Sequence, residues 1–210
     1  MNTFEFFFGF YGLVLGLSLT VLATGAARVF KLRRKVRLGW LTPLLAAFVA
    51  LDVTTFWGGA WSEFKDQPFS YGLLVISLAI ALVYFLAATL VFPEPDDNVT
   101  DYDTHFWANK RTVLSLIILS NLLGYAASIL VHWFTDERAV TIFGTAVTAV
   151  PFLLLTIPAA LSRRRWLVGT LIGLQVLLYV ISATLLAWNP AWGDPGDTTQ
   201  PSLEAGLADE

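Results

Sequence analysis

The chain contains no cysteine. Disulfide exchange, thiolate-ligated metals and iron–sulfur clusters are therefore excluded. Charge is scarce: only 14% of residues are Asp, Glu, Lys or Arg, against about 25% in a soluble domain. There are two histidines, His105 and His132, and the spans read below place them on opposite sides of a bilayer. A haem held between helices by two histidines is thus not expected. Lysine is missing from the middle of every apolar run, so a Schiff-base chromophore such as retinal has no attachment point.

What is present is apolar. Hydrophobic residues make up 56% of the 210 residues, and the mean hydropathy is +0.66. Six long runs hold most of them: 4–27, 39–61, 69–92, 112–134, 139–161 and 166–188. A helix needs roughly 20 apolar residues to cross about 30 Å of hydrocarbon, and each run meets that length. A barrel strand needs only about 10 residues of alternating character, whereas these runs are apolar on all sides for twice that length. The fold class expected is all-α: a polytopic helical membrane protein, a bundle of six transmembrane helices. Trp40, Trp61, Trp107, Trp133, Trp166 and Trp188 fall at or near the run ends, as an interfacial aromatic belt would.

Orientation follows from the cations. The first connection holds Arg28, Lys31, Arg33, Arg34, Lys35 and Arg37, the third Lys110 and Arg111, and the fifth Arg163, Arg164 and Arg165. These are 11 of the 13 basic residues; Lys65 and Arg138 are the others. The positive-inside rule makes the odd connections cytoplasmic and both termini extracytoplasmic. The start, Met1-Asn2-Thr3-Phe4-Glu5, lacks a basic segment, so no cleavable signal is expected. A bacterial inner membrane is the expected location. The acidic stretch 93–111 reads as a cytoplasmic loop, and 189–210, rich in Pro, Gly, Asp and Thr, as a disordered acidic extracytoplasmic tail. Anionic headgroups suffice to explain the basic first connection, at about 1 kcal/mol per cation. The bilayer is therefore the expected partner there, and nucleic acid is not.

Polar groups inside the runs are the candidates for function. Asp52 lies nine residues before Trp61, roughly 13 Å below the outer end of its helix. A carboxylate near the bilayer centre costs about 2.5–3.5 kcal/mol on insertion scales, so it needs a partner, water or a proton. Thr55, one turn on, is a local candidate. Asn121, Gln175, Tyr84, Tyr125 and Tyr179 lie at comparable depth, and their convergence on Asp52 would make a polar centre able to hold an ion, a proton or a water chain. The plainer reading is interhelical hydrogen bonding, at about 0.6 kcal/mol per pair.

Small residues four apart allow close helix approach. Gly12 with Gly16 and Gly169 with Gly173 have that spacing. Pro151 and Pro158 are expected to kink the fifth run. Leu82-Val83-Tyr84 and Ala87-Ala88-Thr89-Leu90 faintly echo Leu178-Tyr179 and Ser182-Ala183-Thr184-Leu185, which suggests an inverted three-plus-three repeat of the transporter kind. His105 with Asp101 and Asp103 makes no closed ligand set, so no metal is expected. Cofactors are not expected either.

Three functions compete. A non-enzymatic structural or interaction module, associating with itself or another membrane protein, accounts for the glycine pairs and the sparse polar interior. A small proton- or cation-linked transporter or channel centred on Asp52 is the alternative. An enzyme is the weakest reading, since no nucleophile–base pair, metal set or cofactor motif is present.

Overall fold

The computed structural model describes residues 3–32, 39–64, 71–93, 102–133 and 138–188. Among them there is no strand. The elements are α1 (Thr3–Leu32), α2 (Leu41–Phe64), α3 (Tyr71–Thr89), α4 (Tyr102–Val131), α5 (Arg138–Leu161) and α6 (Arg165–Trp188). All six are long and apolar enough to span a membrane. The tail 189–210, Lys65, most of the basic first connection and the acidic residues Glu94–Asp101 lie outside the described residues.

Element bounds match the hydropathy runs within a few residues except at α4. Residues 102–111, expected as the end of a loop, form its first turns instead. The cause is a buried stripe that hydropathy cannot see. Tyr102, Phe106 and Lys110 recur at intervals of four and continue into Val113, Leu114 and Ile117, one face of a helix. Asp103 sits in the first turn, where a negative charge complements the helix dipole. At about 1.5 Å per residue, α4 is about 45 Å long.

α2 is the centre of the bundle. It touches α1, α3, α4 and α6, while α1, α3, α4, α5 and α6 pack in succession around it. α5 touches only α4 and α6. α1 packs firmly on α3, whereas the backbones of α4 and α6 do not approach closely and the two helices are joined at their first turns by the Asp103–Arg165 pair. The two halves of the chain are therefore packed differently, and the contact pattern has no inverted two-fold character. α5 stays helical through Pro151 and Pro158.

The glycine pairs work singly. A Cβ on Gly12 would meet the Trp57 indole at 3.1 Å, and one on Gly169 would overlap the Trp40 ring. A Cβ on Gly16 or Gly173 would meet nothing within 4 Å. Each pair thus makes one notch for a tryptophan, and neither brings two helix backbones together through both glycines. Two glycines that sequence spacing did not single out do comparable work: Gly25 admits the Phe92 ring and Gly124 the Phe56 ring.

One end of the bundle is fastened by the first turns of α4. Thr42 donates to the Tyr102 carbonyl at 3.3 Å, and Nε2 of His105 bonds the Leu90 carbonyl at 3.2 Å. Asp103 pairs with Arg165. Nearby, Arg28 donates to the Pro93 carbonyl at 3.4 Å. Together these put the N-termini of α2, α4 and α6 at the same end as the C-termini of α1, α3 and α5.

Lys110 is the least expected of the fasteners. Its charge suggests a loop residue, yet it is buried. Its ammonium donates to the carbonyls of Ala159 at 2.9 Å, Ala160 at 3.2 Å and Ser162 at 2.5 Å. These are the unpaired carbonyls that end α5, the negative pole of that helix. The Trp107 ring lies 5.0 Å from the ammonium and covers it. Lys110→Met keeps the stem and removes the donor. It is expected to destabilise the protein by about 1.5–3 kcal/mol, the range for hydrogen bonds to a charged group. Amide exchange should accelerate at Ser162 and in the last turn of α5, while the amides around Asp52 keep their protection.

Candidate functional site

Four helices each place one polar side chain at a single point near the bundle centre. Asp52 of α2 is 2% exposed and Tyr84 of α3 is fully buried; Asn121 of α4 is also buried, and Tyr179 of α6 is half-buried. Tyr179 donates its hydroxyl proton to Oδ1 of Asp52 at 2.5 Å. Tyr84 donates to Oδ2 at 2.9 Å. Nδ2 of Asn121 donates to the same oxygen at 3.0 Å, and lies 3.1 Å from both the Tyr84 hydroxyl oxygen and the Ile117 carbonyl. Three acceptors around that nitrogen fix the orientation of the amide.

All three groups facing the carboxylate are donors. An ionised acid only accepts, so it can be met by all three at once, and charge-assisted bonds of this kind are roughly twice as strong as neutral ones. No basic side chain is among them.

Aromatic rings hold the donors in place. Phe48 and Phe56 lie one turn before and one turn after Asp52, so all three share a face of α2. Phe48 stacks on Tyr179 with ring centres 6.2 Å apart and planes 15° from parallel. Phe56 leans on Tyr84 at 5.2 Å. Gly124 gives the Phe56 ring its space. α2 therefore carries the acid and also the two surfaces that aim the phenols at it.

The other sequence candidates divide. Gln175 is buried one turn before Tyr179 and interacts with that hydroxyl, but its Oε1 has no hydrogen-bond donor among the described residues. It borders a void with Phe48, Leu114, Thr156 and Ile172 that is too narrow for a water molecule. Tyr125 reaches Thr148 of α5 and stands near Asp52 without bonding it. Thr55 is exposed and is not in the cluster. Its side chain leaves α2 about 60° from that of Asp52. His132 bonds the Ser128 carbonyl on its own helix at 3.1 Å. His105 lies against the end of α3 and beside Asn109.

Phe48, Phe56, Gly124 and Lys110 are the residues sequence reasoning missed. The two phenylalanines carried a signal in their four-residue spacing from Asp52. Gly124 and Lys110 carried none, since each depends on what a distant helix presents.

Tyr84→Phe and Tyr179→Phe each remove one donor and little volume. Each is expected to lower stability to unfolding in detergent by about 1–3 kcal/mol, as expected for a bond to a charged acceptor, rather than the 0.6 kcal/mol of an ordinary interhelical pair. The double variant should depart from additivity, because both phenols serve one carboxylate. No protein-family model, curated protein or solved structure matches this chain.

Proposed function

We propose that this chain is a multi-pass protein of the cell membrane, of the bacterial inner-membrane kind, acting as a non-enzymatic structural or interaction module. Both termini are extracytoplasmic on this reading. The six apolar helices support it, as does the large apolar surface they present outward: Leu13, Val140, Phe143 and Leu154 are all more than half exposed. Surfaces of that extent need lipid or another protein to cover them. The charged ends agree. Arg28, Lys31, Lys110, Arg111, Arg163, Arg164 and Arg165 gather at the end where α2, α4 and α6 begin. That end is cytoplasmic by the positive-inside rule. Expected partners are the bilayer and either a second copy or another membrane protein.

The observation that carries the module reading is the saturation of Asp52. Both carboxylate oxygens are engaged, by donors from three other helices. A proton or ion carrier needs its acid to exchange partners during the cycle. Below Asp52, toward the basic end, Leu41, Leu45, Phe48 and Leu114 are fully buried, and no polar path through them is present among the described residues. The carboxylate thus acts as a cross-link among α2, α3, α4 and α6.

Reconstituted protein provides the test. Wild type and Asp52→Asn, at matched folded amounts in proteoliposomes, should both show proton and cation flux at the level of empty vesicles, and Asp52→Asn should melt at a lower temperature. Wild-type flux that Asp52→Asn loses would overturn the module reading and establish transport centred on α2. The absence of native cysteine makes orientation testable as well. Single cysteines introduced at Arg163 and at Arg138 should label with impermeant maleimide only from the cytoplasmic side and only from the outside, respectively.

A further inference from the structure

Gln175 carries an acceptor that the Asp52 cross-link leaves unused. Its Oε1 is buried and has no donor among the described residues. The void beside it is too narrow for a water molecule, so solvent does not fill the role. A buried amide oxygen without a partner is costly and needs a reason. Its position supplies one. Gln175 and Tyr179 lie one turn apart on α6, where side chains four residues apart meet, and the Gln175 amide donates to the Tyr179 oxygen. Tyr179 in turn donates to Oδ1 of Asp52 at 2.5 Å. Amide, phenol and carboxylate form a chain in which every donor points toward the acid.

The two edges of the carboxylate differ. Oδ2 is met by the Tyr84 hydroxyl and the Asn121 amide. Asn121 also donates to the Tyr84 oxygen, which favours the donor role for Tyr84, and an amide NH2 only donates. A proton on Oδ2 would therefore point at two donors. Among the described residues Oδ1 meets Tyr179 alone. A phenol both donates and accepts. A glutamine amide turned by half a revolution about its last bond presents its oxygen where its N–H groups were. The chain on the Oδ1 edge is thus able to run in either direction.

We propose that Oδ1 of Asp52 is a proton-binding site served by a reversible chain: with the acid neutral, Oδ1 donates to the Tyr179 oxygen and Tyr179 turns its own proton onto Oε1 of Gln175. One proton is gained from water at Oδ1, one negative charge disappears, and Tyr179 keeps its proton throughout. The Gln175 N–H groups then face the wall of the void, where the buried Thr156 supplies a hydroxyl oxygen. α3, α4 and α6 all keep their bonds to the acid, so the cross-link persists in both states, reversed in polarity toward α6. The titratable groups facing Asp52 are Tyr84 of α3, Tyr125 of α4 and Tyr179 of α6, with Tyr11 of α1 near Tyr84. The backbones of α2 and α5 do not approach closely. All four neighbours are phenols, so the carboxyl is the group there that changes charge as pH falls from neutrality. This rests on the reading of Asp52 as a cross-link and adds a second protonation state to it.

Infrared difference spectroscopy of the full-length protein in nanodiscs, with isotope-labelled glutamine side-chain carbonyls, reads both ends of the chain. Gln67 and Gln200 carry the same label, and the Gln175 band is the one that Gln175→Met loses. Lowering the pH while the protein stays folded should bring up a carboxylic-acid band that Asp52→Asn lacks. In step with it, the Gln175 carbonyl band should move to lower frequency as a free carbonyl becomes hydrogen-bonded. Tyr179→Phe has no hydroxyl to turn, so its Gln175 band should stay at the free position at every pH while the acid band remains. Asp52→Asn keeps its oxygen toward Tyr84 and Asn121 and its NH2 toward Tyr179, so its Gln175 band should sit at the bonded position at every pH. Absence of an Asp52 acid band up to the point of unfolding would overturn the proposal, and so would an acid band that rises while the wild-type Gln175 band stays fixed. Failure of the cross-link reading would show separately, as wild-type flux in proteoliposomes that Asp52→Asn loses.

Discussion

A carboxylate in an apolar bundle has to be met by donors, and Asp52 sets the arrangement of the other helices because it is. Burying a charge without partners costs far more than a folded protein can tolerate. The three donors come from α3, α4 and α6, so the demand is satisfied only when those helices assemble around α2 at one rotation and one depth. Apolar packing alone does not supply that register. Leucine and valine faces slide past each other at little cost, particularly in lipid, where tails are as apolar as side chains. A single acid with three directional partners removes the alternatives. The central position of α2 and its contacts with four neighbours follow from its carrying the group that the others must reach.

The two ends of the bundle answer different problems. At the basic end, helix termini leave carbonyls and amides unpaired, and the first turns of α4 reach out to satisfy or tether them. Lys110 is the clearest case, a cation placed on the negative pole of α5. The same lysine would be electrostatically misplaced at a helix N-terminus. At the opposite end aromatic contacts join the helices: Phe8 of α1 stacks on Trp57 of α2 and meets Trp61 edge-on, and Gly12 makes room for the Trp57 indole. Polar tethers at one end and stacked rings at the other hold the bundle by different physics.

Much of this was legible in the sequence. Length and hydropathy are enough for six helices, because the cost of unpaired backbone in lipid leaves no other structure for runs of that kind. Depth put Asp52, Tyr84, Asn121, Gln175, Tyr125 and Tyr179 at one level, but depth alone could not say that only Tyr84, Asn121 and Tyr179 bond the acid. Thr55 was grouped with them because one turn of α2 separates it from Asp52, but with an offset of about 60° it is exposed and outside the cluster. The extent of α4 was not legible from hydropathy, since Asp103, His105, Asn109 and Lys110 lower the average while Tyr102, Phe106 and Val113 keep the buried stripe going. The glycine pairs misled in a useful way. Spacing identifies a smooth surface, but only the facing helix decides whether a backbone or an indole fills it, and here Trp57 and Trp40 do.

Phe48 and Phe56 tie the acid to its phenols. Each is one turn from Asp52, and each packs against a phenol that donates to it. Tyr84 is enclosed completely and also accepts from the Asn121 amide. Tyr179 is half-buried, covered by Phe48 and joined by Gln175. The difference in enclosure follows from the neighbours of the two helices: α3 packs against α1 and α4 as well as α2, whereas α6 packs closely on α2 and α5 only. One carboxylate is therefore held by an inner phenol and an outer one. A change at Tyr84 disturbs the carboxylate and the Asn121 amide together, and a change at Tyr179 disturbs the carboxylate and Gln175.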